Sequence, residues 1–273
     1  MFSSSTDPGA AKAAGLAQGY SQVFMLPVPL EQPFYQFDLP AGFIISSAND
    51  MARFLKALGN GGELDGVRVL KPGNVELMFT PNTAIKSAYG FGWYIGQYYG
   101  ETRITHGGDT ERFHTSVLLL PQTKLSLVML FNQNHLIKDC IEYDAIFWSV
   151  ASMLTDHPMP PERLSSIFYG WGLCALWSVL LGLAVRKLIR LPQWRVKMSA
   201  WDSHHRGLDI MKHLLWIAFS ILVVTAIGPA LMNRGFSWKW FVAFLPEVAI
   251  IVATLVFDDA IQVVLKVWMM ARI

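Results

Sequence analysis

Two hydrophobic patterns divide this chain. Up to about residue 163, apolar positions alternate with polar ones at helix or strand spacing; from residue 165 on, they run together. SSANDMARFLKALGNGG (46–62) predicts an amphipathic helix. Met51, Phe54, Leu55 and Leu58 share one face, Ser47 is the N-cap with Asp50 completing a capping box three residues on, and Gly59 to Gly62 stop it. KPGNVELMFTP (71–81) predicts a shorter helix from Pro72 to before Pro81. YGFGWYIGQYY (89–99) alternates aromatics with glycines, as a strand in a close-packed sheet does. Residues 115–120 and 125–131 predict two more strands, joined by a turn at Pro121-Gln122-Thr123-Lys124. A helix is expected over about 139–155, with Ile141, Ala145, Phe147 and Trp148 among its apolar positions, and Pro158, Pro160 and Pro161 mark a linker over 158–166. The first 45 residues show little regular pattern, and 24–42 reads as extended, proline-broken loop. Helix, helix, three antiparallel strands and helix make half of an α+β domain over 1–157.

The second half reads differently. Residues 167–185 and 214–232 are each 19 residues without a charge, long enough to cross a hydrocarbon core. Gly228-Pro229 is expected to kink the second. A third span is expected near 246–266, although Glu247, Asp258 and Asp259 put carboxylates at or near the apolar slab; they are expected at an interface or facing neighbouring helices. Between the first two spans lie Arg186, Lys187, Arg190, Arg195, Lys197, Arg206 and Lys212 against two acids, Asp202 and Asp209. That bias orients the loop to the cytoplasm and puts residues 1–163 outside, in a multi-pass protein of the cytoplasmic membrane with the lipid bilayer as partner. The N-terminus MFSSSTDPGAAKAAG lacks the basic start and apolar core of a signal peptide, so either an export signal lies upstream of it or the orientation is the reverse.

Composition narrows the function classes. Of 273 residues 15% are charged, and the formal net charge is +2, too small a bias for nucleic-acid binding. Cys140 and Cys174 have no metal-type spacing, and Cys174 sits inside an apolar run, so neither a disulfide nor a thiolate metal site is expected. No cofactor motif is present, and the oligomeric state is not readable.

LPAGFIISSANDMARFLKALGNGG, then YGFGWYIG, then THGGDTERFHTSVLLLP together resemble the serine β-lactamase-like hydrolases, the superfamily of class C β-lactamases, DD-peptidases and related esterases. The likeness covers most of residues 10–155 and only the C-terminal half of that family's catalytic domain. It implies a sheet flanked by helices, and a site built from Ser-x-x-Lys, Tyr-x-Asn or Ser-x-Asn, and Lys-Thr-Gly or His-x-Gly. His106-Gly107-Gly108 matches the third motif. The resemblance makes His106 a donor beside the substrate's carboxylate or carbonyl, and leaves Gly107 and Gly108 bare so that substrate can lie along the strand. It makes the backbone N–H of Asp109 one of two oxyanion donors, with Asp109, Thr110 and Phe113 shaping the rim. His114 is expected to pack or hydrogen-bond, and His106, Asp109 and His114 are not expected to form a metal set.

The other motifs are missing. No lysine has serine three residues before it; Thr83-Ala84-Ile85-Lys86 comes nearest. No tyrosine is followed two residues on by asparagine, and Ser47-Ala48-Asn49 reads better as a helix cap. Nucleophilic catalysis requires an activated hydroxyl beside a base. The expectation is therefore the C-terminal portion of a membrane-anchored serine hydrolase acting on peptide, β-lactam or ester substrates, without turnover as this chain alone. The alternative is a non-catalytic, membrane-tethered binding or vestigial paralogue.

Overall fold

The computed structural model describes residues 3–24, 26–85, 87–161, 166–227 and 238–272. They form two units: Met1–Ser21 with Pro27–Ser165, and Gln22–Leu26 with Ser166–Ile273.

The first unit is built on an antiparallel sheet of β5 (Tyr94–Tyr98), β6 (Glu101–Asp109), β7 (His114–Leu120) and β8 (Leu125–Phe131), in that order. Side chains alternate between its faces, and both faces are covered. On one lies α2 (Ala48–Gly59) with α3 (Pro72–Met78), and Leu55, Leu58 and Val75 pack on Trp93, Ile104, Val117 and Leu119. On the other lies α5 (Asp144–Leu154), whose Phe147 and Ala151 pack on Tyr98, Leu118 and Leu120. Double coverage explains why β7 reads VLLL rather than alternating. Burying a leucine such as Leu118 contributes about 1.5–3 kcal/mol.

The α+β expectation holds, and the main sheet has one strand more than the pattern gives. The added strand is β6, which carries His106. Its Glu101, Thr102 and Arg103 are polar and Gly107-Gly108 has no side chains, so it lacks a strand's hydrophobic signature. Strand β5 also starts later than residue 89. A Cβ on Gly90 would lie 2.4 Å from the Met78 carbonyl oxygen and Gly92 has φ +83°, so this stretch turns instead of extending. Residues 3–24 are more regular than expected. Helix α1 (Pro8–Ala13) is capped by Asp7, and β1 (Tyr20–Val23) pairs in parallel with β9 (Gln133–Asn134), with β2 (Leu26–Pro29) on its other side. A small hairpin of β3 (Glu63–Leu64) and β4 (Val67–Arg68) follows α2, and α4 (Leu136–Lys138) leads through a π-helical turn into α5.

The second unit is helical: α6 (Ser166–Ile189), α7 (Leu191–Ser199), α8 (Ser203–Leu222) with a π-helical turn at Val223–Ile227, α9 (Trp238–Phe244) and α10 (Pro246–Met270). Among the described residues, two helices are long and apolar enough to cross a membrane: Ile167–Ile189 and Pro246–Met270. The middle span expected over 214–232 is not shown as a third. Its residues 228–232, with Gly228-Pro229, lie outside the described residues. The acids of α10 face neighbouring helices. Asp258 pairs with Lys187 of α6 at 2.6 Å, and Asp259 takes the Nδ1 proton of His213 at 2.6 Å. Lys266 donates to His213 Nε2 at 2.9 Å and to Asp209 at 2.6 Å. Glu247 is fully buried.

Candidate active-site edge

Strand β5 covers β6 only as far as the Tyr94–Thr105 pair. Beyond it, His106 to Asp109 pair with Val117 to His114 of β7, and no described strand lies on their other side. β6 is thus internal for half its length and an edge for the rest. The edge begins at the histidine of the His-x-Gly motif.

The His106 ring sits among Tyr89, Trp93 and Tyr94, with centroid separations of 6.2, 6.4 and 6.5 Å. The Tyr89 hydroxyl is 3.5 Å from Nδ1, at the outer limit of a hydrogen bond. This aromatic wall holds the ring near the edge. The two glycines differ. A Cβ on Gly107 would approach only the Thr115 carbonyl, at 3.6 Å, so the fold itself tolerates a side chain there. A Cβ on Gly108 would lie 2.8 Å from Thr115 Oγ1, so Gly108 is bare for internal reasons.

Asp109 ends the strand and is fastened from the opposite face. Its Oδ1 accepts from His114 Nδ1 at 2.8 Å and from Asn134 Nδ2 at 2.9 Å. His114 Nε2 lies 3.0 Å from Ser116 Oγ, and the ring stacks on Tyr143 with centroids 5.0 Å apart. His114 is 4% exposed, consistent with a packing and hydrogen-bonding role. His106 and Asp109 stand three residues apart on one strand, hence on opposite faces. His114 lies with Asp109, so these three side chains cannot share one ion.

The β6–β7 hairpin tip is equally fixed. Thr110 N–H donates to the Phe113 carbonyl at 2.9 Å, and the Thr110 hydroxyl and Arg112 N–H both donate to Gln32 Oε1 at 2.9 Å. Gln32 Nε2 donates to Glu111 at 2.6 Å, and Asn134 Nδ2 to the Thr110 carbonyl at 2.7 Å. Burial pushes the Arg112 guanidinium down from its ordinary value, with neighbouring Glu111 opposing. The Thr110 hydroxyl is thus committed within the protein, and Thr110 and Phe113 contribute shape.

Gln32, Asn134 and Tyr143, which help build this edge, carry no periodic or motif signal in the sequence, whereas Tyr89 opens the aromatic–glycine stretch. Ser47 is a helix cap: its hydroxyl accepts from Asp50 N–H at 3.2 Å, while the Asp50 carboxylate takes the Ser3 N–H and Ser4 hydroxyl. Lys86 of the Thr83 quartet lies outside the described residues. No serine–lysine hydrogen bond occurs among those described. Among the described residues the arrangement offers an extended edge, a histidine and a rigid turn, but no serine held by a lysine base.

A family model described as Beta-lactamase matches residues 1–146. Among solved structures, an octameric penicillin-binding protein homologue from Pyrococcus abyssi superposes with a TM-score of 0.50 at 22% identity. The match covers 63% of this chain, which spans 38% of the length of that one. Comparison with curated proteins gives no significant match.

Proposed function

This chain belongs to the beta-lactamase family, and on that premise we propose that it supplies the third wall of a serine acyl-transfer site in a membrane-anchored hydrolase. The observation that carries the reading is the point where β5 ends. It leaves the β6 edge open from His106 to Asp109, the residues of the motif. A peptide, β-lactam or ester lies along that edge, where Gly107 leaves room for it. His106 donates to the substrate's carboxylate or carbonyl, and the Asp109 N–H is one of two oxyanion donors, the second being the N–H of the nucleophilic serine. The carboxylate of Asp109, held by His114 and Asn134, fixes the turn carrying that N–H, so the donor is in place before charge develops. Thr110 and Phe113 form the rim.

The nucleophile and its lysine base come from Ser-x-x-Lys residues outside this sequence, and this chain alone does not turn over. Anchoring is by α6 and α10, with 167–185, 214–232 and 246–266 as three crossings. The basic run from Arg186 to Arg206 stays in the cytoplasm and residues 1–163 outside. The experiment is the intact mass of the native protein from its own membranes, with labelled penicillin as the acylating probe. A mass above 30.6 kDa and a labelled Ser-x-x-Lys peptide are expected. A protein of 30.6 kDa that takes no label points instead to the non-catalytic binding paralogue.

A further inference from the structure

Arg103 stands out among the charged groups of the first unit. It lies on β6, opposite Gly96 of β5. It forms no ion pair and donates no hydrogen bond to any described residue, and its Nε is buried without a partner. An Nε buried without a partner among the described residues is uncommon and calls for an explanation. The nearby acids are committed elsewhere. The Glu101 carboxylate is held by the Thr123 backbone N–H and hydroxyl, and Asp144 accepts from the Trp148 indole at 2.8 Å.

The surroundings are shaped to hold this side chain in place. Its guanidinium carbon lies 5.2 Å from the centroid of the Trp148 ring, a cation–π contact. A Cβ on Gly96 would come within 2.8 Å of Arg103 Nη2, so glycine gives the fork its place. Arg103 lines a cavity of about 270 Å³ whose other walls include Tyr98, Tyr99, Trp148, Ser152 and Pro160. Tyr98 stacks on Trp148 with centroids 5.5 Å apart and its hydroxyl bonds Ser152 at 3.2 Å, so the aromatic walls are braced. No other lysine or arginine lines the cavity.

We propose that this cavity binds a small aryl or branched-alkyl carboxylate. One planar guanidinium fork matches one carboxylate in bidentate fashion. The aromatic walls match an apolar body, and the volume admits a fragment of about one ring rather than a drug-sized molecule. A phosphate dianion fits less well, having one cation and apolar walls to meet it. The site is separate from the candidate active-site edge. Arg103 and Asp109 are six residues apart on β6, about 20 Å along the strand, and Arg103 faces α5 while His106 faces α2.

The test uses the native protein from its own membranes, in detergent or nanodiscs, with phenylacetate, its neutral isostere phenylacetamide, and inorganic phosphate as probes. The readout is the indole N–H resonance of Trp148, assigned with Trp148→Phe. Phenylacetate is expected to shift it saturably, with phenylacetamide and phosphate at least about tenfold weaker. Arg103→Gln should weaken phenylacetate roughly 10- to 100-fold. Gly96→Ala, which keeps the charge but displaces the fork, should weaken it too. The proposal is overturned if phenylacetate leaves the resonance unmoved, if phenylacetamide binds as well, or if Arg103→Gln keeps full affinity. The comparison between probes needs no variant, so it stands even if Arg103→Gln fails to fold.

Discussion

Replacing His114 with alanine should loosen the turn that carries the Asp109 N–H, and the structure sets the size of the effect. The substitution removes the bonds to Asp109 and Ser116, about 1 kcal/mol each. It also removes the stack on Tyr143, worth about 0.5–1.5 kcal/mol. The side chain of Asp109 is 43% exposed, so water recovers part of the first term. The void left by a nearly buried ring offsets that recovery. The sum is roughly 3 kcal/mol, or about a hundredfold in an opening equilibrium. Amide hydrogen exchange at Thr110, Arg112 and Phe113 reads it directly, because these three N–H groups hold the hairpin tip. Ser116→Ala, which removes one of the bonds, should accelerate the same amides only about fivefold. Unchanged exchange at these positions in His114→Ala would refute the claim that the His114–Asp109 pair fixes the turn.

Other expectations follow from the same contacts. Leu118→Ala, at a position with no exposed surface between Tyr98 and Phe147, should cost about 2–5 kcal/mol, read from the slowest-exchanging amides of β7. Ser47→Ala should cost about 1 kcal/mol and raise exchange of the Asp50 amide, as loss of a cap does and loss of a catalytic serine does not. In the second unit, burial raises the Asp209 carboxyl, but bonds from Lys266, Lys212 and the Trp194 indole, with the charge of Lys266, outweigh it and hold the value down to about 2. Because the folded value lies below the ordinary 3.8, its stabilising contribution is present above that pH and is lost as pH falls through about 2. Carboxyl-carbon titration should show this low midpoint, and Lys266→Met should raise it; a wild-type midpoint at or above 3.8 would contradict the assignment.

Much of the scaffold was legible from local physics. The α2 helix, its Ser47 cap and its glycine stop are set by neighbours in sequence, as is the turn before β8. Residues whose role depends on distant partners were not. Tyr20 and Ser21 form a strand only because Gln133 and Asn134 lie beside them, and Gln32 matters only because the hairpin tip reaches it. Strand β6 escaped because its glycines and polar residues erase the period a strand is recognised by. Its motif was visible by resemblance alone. Hydropathy located α6 and α10. That Asp258 and Asp259 face neighbouring helices was expected, but their partners, Lys187 and His213, and the pairing of Lys266 with Asp209 were not.

The most direct measurement is the rate of acylation by labelled penicillin, made on the native protein from its own membranes and on its Gly107→Val variant. A Cβ at 107 meets nothing closer than 3.6 Å, and a circular dichroism spectrum and melting temperature matching the parent are the control that lets the variant's rate report what lies along the edge. The expected result is label on a serine of a Ser-x-x-Lys peptide outside these 273 residues, formed at least about tenfold more slowly in the variant. Equal rates in both proteins, or label on a serine within this chain, would contradict the edge from His106 to Asp109 as the third wall of the site.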